Sequence, residues 1–323
     1  MHALVNTGPG EIRWQELLLP EPGAGQVRIR TGFCGICATD LQMINGWSRT
    51  AFPAIPGHEW TGTVDKAGPG VDQSMVGNRC VGENVLADGG EVGFEHPGGY
   101  AEYFITEAER LYMLPDSTAL AQAALIEPLA VCVRGLTRLG VEGAEAALVF
   151  GDGPIGLIVV MLLETGGVSG IILVGGRQQR LKLARESGAT ETYNYHECGD
   201  ELAKRIRTAN GGGGYPIVIE CSGSGRALKA GMQCAAHDGR ILVLGDYGTS
   251  RAEFTWNELL LKEISIIGSN ASAGAWPKAV EIAGAVGITL DRIITHRLPA
   301  ERGMEGIEIA RNDPGAIKVI LEW

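Results

Sequence analysis

In QVRIRTGF, residues 26–33, Val27, Ile29 and Thr31 recur at every second position, just after the turn-forming PEPGAG. A period of two puts them on one face of a strand, so the chain is expected to open in antiparallel β structure. Short strands and glycine turns continue through GHEWTGTV and GGYAEYFI to about Pro115. From Thr118 the spacing of apolar residues becomes helical in TALAQAALIEPLAVCVRGLTRLG. AALVF then reads as an apolar strand, GDGPIG as a glycine turn and LIVVMLLETGG as a helix. Strand and helix go on alternating in GIILVGG, RQQRLKLARESGA, YPIVIECSG, RALKAGMQCAAHDG, RILVLGDYG, NELLLKE and ISIIGSNA. That alternation predicts an α/β fold, a doubly wound parallel sheet with helices on both faces. A helix, AWPKAVEIAGAVG, and two β-like pieces, ITHRL and AIKVILEW, follow. The layout expected is a parallel-sheet domain over residues 123–268, inserted in a β-rich domain built from residues 1–122 and 269–323.

Composition narrows the function. The 323 residues are 45% apolar, enough for two packed cores, and they show no repeats or low-complexity linkers. A net charge of −11 without any basic run argues against nucleic acid and against an anionic membrane as partners. MHALVNTGPGEIRW lacks the basic and apolar regions of a signal peptide, and IGLIVVMLL is too short to span a bilayer, so a cytoplasmic protein is expected. Seven cysteines without regular spacing point to reduced thiols or a metal site. Forty-eight glycines, roughly twice the ordinary share of about 7%, let the backbone turn often and approach ligands closely.

GDGPIG places Gly151, Gly153 and Gly156 in G-x-G-x-x-G order between an apolar strand and a helix, with Asp152, Pro154 and Ile155 completing the loop. In a dinucleotide site the first glycine makes the turn, the second lets the backbone approach the pyrophosphate, and the third allows close helix–strand packing. An enzyme selective for NAD would carry an acid about 20 residues on, for the ribose 2′-OH. Here the second strand ends in VGGR. Gly175 and Gly176 leave room, and Arg177 with Arg180 offers donors suited to a 2′-phosphate, so NADP(H) is expected over NAD(H). The alternative is that Arg177 is a solvated residue beside NAD.

GFCGICATD sets Cys34 and Cys37 in C-x-x-C spacing, with His58 and Glu59 in PGHEW and Glu127 in IEPLAV further on. A structural zinc wants four protein ligands, but the next cysteines, Cys80 and Cys132, are isolated. A redox pair wants a thioredoxin-like pattern, and this segment reads as β structure instead. A catalytic zinc wants about three ligands of mixed type and an open position, which Cys37, His58 and one or two carboxylates would supply.

GFCGICATD, PGHEWTG, EPLAV, GDGPIG and KEISIIGS, in this order, resemble the medium-chain dehydrogenase/reductase family of zinc-dependent alcohol, polyol and sugar dehydrogenases. The resemblance covers nearly the whole chain. It implies a GroES-like catalytic domain, a Rossmann coenzyme domain and one catalytic Zn2+ in a cleft between them. Cys37 and His58 would be ligands, Glu59 an exchangeable ligand, and Glu127 either a fourth ligand or the holder of a water; Cys34 would be a bystander. The segment GENVLADGGEVGFEHPGG stands where many members bind a structural zinc through four cysteines, and it has none. VGGR is similar to the NADP-specific secondary alcohol dehydrogenases, whose phosphate-binding tyrosine corresponds to Tyr195. The coenzyme site would extend to Cys221, Ser222, Leu244, Gly245, Ser269 and Asn270. Thr39 would relay the substrate proton, or else simply cap the helix near Asp40. Trp47, Phe52, Trp60, Phe94 and His96 fall near the expected pocket, and the substrate expected is a small-molecule alcohol, polyol or sugar-like alcohol. RILVLGDYG and ISIIGS would form a sheet edge covered in a homodimer or homotetramer. The competing readings are a zinc-free quinone or enoyl reductase of the same fold and a non-catalytic nicotinamide-binding relative.

Overall fold

The computed structural model describes residues 1–284 and 288–323, so the last three residues of the expected helix AWPKAVEIAGAVG lie outside the described residues. In chain order come β1 (His2–Gly8), β2 (Glu11–Glu16), β3 (Gln26–Gly35), α1 (Ala38–Ile44), β4 (Glu59–Ala67), β5 (Arg79–Gly82), β6 (Tyr103–Glu107), β7 (Leu111–Met113), α2 (Leu120–Ala123) and α3 (Ile126–Leu139). The alternating middle follows with β8 (Ala146–Phe150), α4 (Pro154–Thr165), β9 (Gly170–Gly175), α5 (Gln178–Glu186), β10 (Glu191–Asn194), α6 (Tyr195–Cys198), α7 (Leu202–Ala209), β11 (Tyr215–Glu220), α8 (Gly225–Cys234), β12 (Ala235–Val243), α9 (Trp256–Lys262) and β13 (Ser265–Gly268). α10 (Trp276–Gly284), β14 (Ile294–Pro299), α11 (Gly303–Asn312) and β15 (Lys318–Glu322) complete the chain. Two compact units result, one of Met1–Pro128 with Trp276–Trp323, the other of Leu129–Ala275.

The first unit is built on a sheet of order β14-β15-β3-β4-β5-β7, with β6 also paired to β3. Its pairings with β3 are antiparallel. The inward positions of the period-two pattern, Val27 and Ile29, are fully buried with Val64, Trp60 and Phe104, and this GroES-like unit keeps its own core. In the second unit β10-β9-β8-β11-β12-β13 form a parallel sheet, which in chain order is the 3-2-1-4-5-6 arrangement of a Rossmann domain. β8 is apolar throughout and β11 is apolar and buried from Ile217 to Ile219, as expected of central strands covered on both faces. No helix among the described residues is long and apolar enough to cross a membrane.

Three local expectations change. The helical stretch from Thr118 is interrupted between α2 and α3. The helix expected through Gly239 ends at Cys234, because Ala235 already pairs with Tyr215 and Asp238 takes a left-handed φ of 56° that no helix tolerates. The alternation also holds β10, α6 and α7, which the apolar pattern does not reveal, since ETYN is polar and occupies the outer edge of its sheet.

Candidate catalytic metal centre and coenzyme site

The register of β3 against β4 places Gly35 opposite Glu59, and that of β3 against β15 places it opposite Ile320. A Cβ on Gly35 would lie 2.1 Å from Glu59 Oε2, so this glycine makes room for the carboxylate. The chain then turns into α1, whose N-cap is Cys37; the Cys37 N–H donates to Asp40 Oδ2 at 2.8 Å, tying the thiol's backbone to the first helical turn. Cys37, His58 and Glu59 thereby converge, with one ligand atom from each lying within 4.8 Å of the others. Thr39 joins them through its Oγ1, 3.7 Å from Cys37 Sγ. Glu127, in the first turn of α3, stands outside that set among the described residues. Cys34 is fully buried in the core, and burial raises its thiol pKa well above the ordinary value.

Two residues the sequence reading did not select complete the centre. Asp40 is fully buried; its Oδ1 lies 3.1 Å from His58 Nδ1, and its Oδ2 accepts from Tyr100 Oη at 3.2 Å. With Nδ1 turned to Asp40, His58 leaves Nε2 free to face a metal, the arrangement in which a carboxylate supports a ligating histidine. The position of Asp40, three residues after Cys37, was the available signal. Lys318, at the start of β15, donates to both Glu59 oxygens at 2.7 Å and to the Ile36 carbonyl at 3.3 Å. No local pattern announces that pairing across nearly the whole chain.

The charges are strongly coupled. Burial works against a cationic His58, yet Asp40 and the Cys37 sulfur raise its pKa well above the ordinary value. Burial would raise Asp40, but His58 keeps it below the usual range. Lys318 stays cationic because Glu59 and then Cys37 outweigh its burial. Burial pushes Glu127 up to about 7, with His58 drawing it down and Glu59 pushing it up. A sulfur, an imidazole nitrogen and a carboxylate are a donor set that fits a tetrahedral zinc with one position left open.

Of the aromatic residues expected near the pocket, Phe94 lies 4.9 Å from the His58 ring and Trp47 stands edge-on to Phe94 at 6.4 Å. Arg49 crosses Phe94 at 4.6 Å and is held by Glu91 and Glu95, which ties the cysteine-free segment to the loop after α1. Trp60 is instead a core residue, 2% exposed, with its indole N–H on Asn84. His96 pairs with Asp88 at 2.9 Å, and Phe52 is partly buried.

In the second unit the expected coenzyme residues all follow or end parallel strands, so they gather at the carboxyl ends of the strands, along that edge of the sheet. Gly151 and Asp152 follow β8, with Gly153 capping α4 and Pro154, Ile155 and Gly156 in its first turn. Gly175, Gly176, Arg177 and Arg180 end β9 and open α5, Tyr195 follows β10, Cys221 and Ser222 follow β11, Leu244 and Gly245 follow β12, and Ser269 and Asn270 follow β13. Gly151 has φ +113°, and a Cβ on Gly156 would meet the Gly151 carbonyl at 1.9 Å, so both glycines serve the turn and its packing. A Cβ on Gly153 would meet no atom within 4 Å. The protein's own packing therefore does not demand a glycine there, whereas close approach by a pyrophosphate would. Ser269 Oγ is buried without a hydrogen-bond partner among the described residues, which also fits a polar ligand at this edge.

One expectation fails. The room at Gly175 is filled: a Cβ there would fall 2.5 Å from Asp152 Cβ, and Asp152 Oδ2 accepts from the Gly176 and Arg177 N–H groups at 2.9 Å each. Gly176 is needed beneath Tyr195, whose Oη would lie 2.6 Å from a Cβ. A further acid that sequence reasoning passed over, Glu220, is fully buried at the end of β11 and accepts from Ser222 N, Gly223 N and Tyr247 Oη, joining the loops after β11 and β12.

Residues 23–116 match the family of alcohol dehydrogenase GroES-like domains, and residues 154–284 match that of zinc-binding dehydrogenases. The chain is 28% identical to a sorbitol dehydrogenase of Halalkalibacterium halodurans, over 99% of each chain. It is 30% identical to an L-threonine 3-dehydrogenase of Saccharopolyspora erythraea, over 100% of this chain and 99% of the relative. Among solved structures, a zinc-binding dehydrogenase of Sinorhizobium meliloti 1021 bound to NADP superposes with a TM-score of 0.93 at 26% identity, covering 100% of this chain and 99% of that one. With its two kinds of unit, its ordered motifs and its full-length relatives in agreement, the chain belongs to the zinc-dependent medium-chain dehydrogenase family, oxidoreductases of the alcohol and polyol dehydrogenase type.

Proposed function

We propose that this protein oxidises a secondary alcohol, polyol or sugar-like alcohol, or reduces the matching carbonyl, using one catalytic zinc and preferentially NADP(H). The observation that carries the reading is the convergence of Cys37, His58 and Glu59, with Asp40 behind the imidazole. Zinc held there would supply a Lewis acid that makes an alcohol hydroxyl acidic near neutral pH, and the nicotinamide would accept the hydride from the carbinol carbon.

The chain's own groups do the rest. Asp40 holds the His58 ring by Nδ1, while Lys318 keeps Glu59 in place when it is not a ligand. The Thr39 hydroxyl, beside Cys37, takes and passes on the substrate proton. Phe94 and Trp47 form an apolar wall that orients the substrate and keeps water away from His58. The guanidinium of Arg177, half exposed at the β9 end, attracts the 2′-phosphate, with Tyr195 adjoining. A zinc-free reductase would have no use for this donor set. We also propose a cytoplasmic setting, in keeping with the free cysteines, and a dimer or a dimer of dimers.

Elemental analysis and a screen of alcohols and polyols with both coenzymes test the reading. One zinc per chain is expected, lost together with turnover in Cys37→Ser and kept in Cys34→Ser. Equal zinc loss in the two variants overturns the ligand assignment. Catalytic efficiency with NAD at or above that with NADP overturns the coenzyme preference.

A further inference from the structure

The feature of the coenzyme unit that its motifs do not explain is the side chain of Asp152. It projects from the glycine loop after β8 to the end of β9, and it is 7% exposed. Its Oδ2 takes the N–H groups of Gly176 and Arg177, which open the turn into α5. Its Oδ1 lies 3.9 Å from Arg177 Nη1 and 4.0 Å from Arg180 Nη1. It occupies the space that any side chain at Gly175 would need. An acid at the end of the second strand is what discriminates NAD from NADP in a Rossmann site. This chain has no such acid in β9, yet a carboxylate stands at that place, delivered from the neighbouring loop.

We propose that Asp152 is a selectivity-determining residue for the coenzyme. Its carboxylate holds two backbone donors and shares the field of two guanidinium groups, the same donors a 2′-phosphate would use. It therefore opposes the phosphate by repulsion and by competition, and it offers an acceptor to a ribose 2′-hydroxyl. Arg177 attracts NADP(H), and Asp152 limits how far that attraction goes, so NAD(H) remains a competent coenzyme. The inference rests on the reading that this edge of the sheet binds a nicotinamide coenzyme, and it assigns to the glycine loop a role usually given to the second strand.

The test uses fragments that carry only the adenosine end, 2′,5′-ADP and 5′-AMP, titrated calorimetrically into the full chain at fixed pH and ionic strength. Asp152→Asn keeps an acceptor for the Gly176 and Arg177 N–H groups and removes the charge. The preference for 2′,5′-ADP over 5′-AMP is expected to rise at least tenfold in this variant. In an Arg177→Ala background the gain should shrink, because one of the competing donors is gone. Asp152→Ser serves the same purpose if the asparagine variant binds neither fragment.

A preference within twofold of the unmodified protein in a variant that binds 5′-AMP overturns the inference. So does loss of 5′-AMP binding in both variants, which would make Asp152 a support of the loop only. The measured quantity is a ratio of variant to unmodified protein, so it stands whichever coenzyme the unmodified protein prefers. Failure of the NADP preference itself would appear instead as an unmodified protein that binds 2′,5′-ADP no better than 5′-AMP and is unaffected by Arg177→Ala.

Discussion

Lys318 and Glu59 are 4% and 2% exposed at the side chain, and each neutralises the other in the core of the first unit. Removing one partner of such a pair leaves an uncompensated buried charge, typically costing about 3–5 kcal/mol. Lys318→Met should lower the stability of the zinc-depleted protein by that amount in chemical denaturation, and by much less once zinc gives Glu59 another partner. A loss below about 1 kcal/mol without zinc would show that Glu59 is not charged there. Glu127 makes the opposite kind of statement. Its pKa in the fold is raised to about 7 by burial, so its contribution to stability is full below the ordinary carboxyl range and is lost as pH rises through 7. Glu127→Gln should therefore raise the Tm of the metal-free protein at pH 8 and leave it nearly unchanged at pH 5. Equal shifts at both pH values would place the Glu127 carboxyl in a solvated environment.

Among the elements, the turn from β9 into α5 is where a familiar design rule meets this particular packing. Placing an acid at the end of the second strand is the ordinary route to NAD selectivity. Here Gly175→Asp would drive its Cβ to 2.5 Å from Asp152 and set two carboxylates against each other. Overpacking costs about 1–3 kcal/mol, so the variant should lose stability and coenzyme binding together, without a clean switch to NAD(H). A stable Gly175→Asp protein with improved NAD(H) affinity would mean that Asp152 moves aside at little cost. The edge strand β10 teaches something different. An outer strand need not be apolar on both faces, so ETYN carries no hydrophobic signal, whereas the central β8 and β11 do.

At the level of the whole molecule, β13 ends the parallel sheet with one side unpaired among the described residues, and Ile266 on it is exposed. The same unit exposes Trp256, Leu260 and Leu261 on α9 at 72%, 67% and 71%. Open strand edges and large exposed apolar side chains are normally covered. Light scattering should report a dimer or a dimer of dimers at micromolar concentration, and a Leu260→Glu, Leu261→Glu double variant should shift it toward smaller species. A monomeric unmodified protein would overturn this assembly.

Periodicity and local motifs, both short-range properties, were enough to determine a great deal from the residues alone. The change from period two to helical spacing marked the β-rich and α/β parts of the chain, and GDGPIG after AALVF marked the first βα turn. GFCGICATD and PGHEW named Cys37, His58 and Glu59, which the fold brings together. What the tertiary structure alone decided depends on contacts between residues far apart in sequence. Lys318 reaches Glu59 because β15 pairs with β3, and β3 pairs with β4. Asp152 reaches the end of β9 because β8 and β9 lie side by side, so an acid missing from one strand is supplied by the loop of its neighbour. A linear pattern records which side chains are available, but strand register decides which of them share a space, and register is set by the packing of whole sheets.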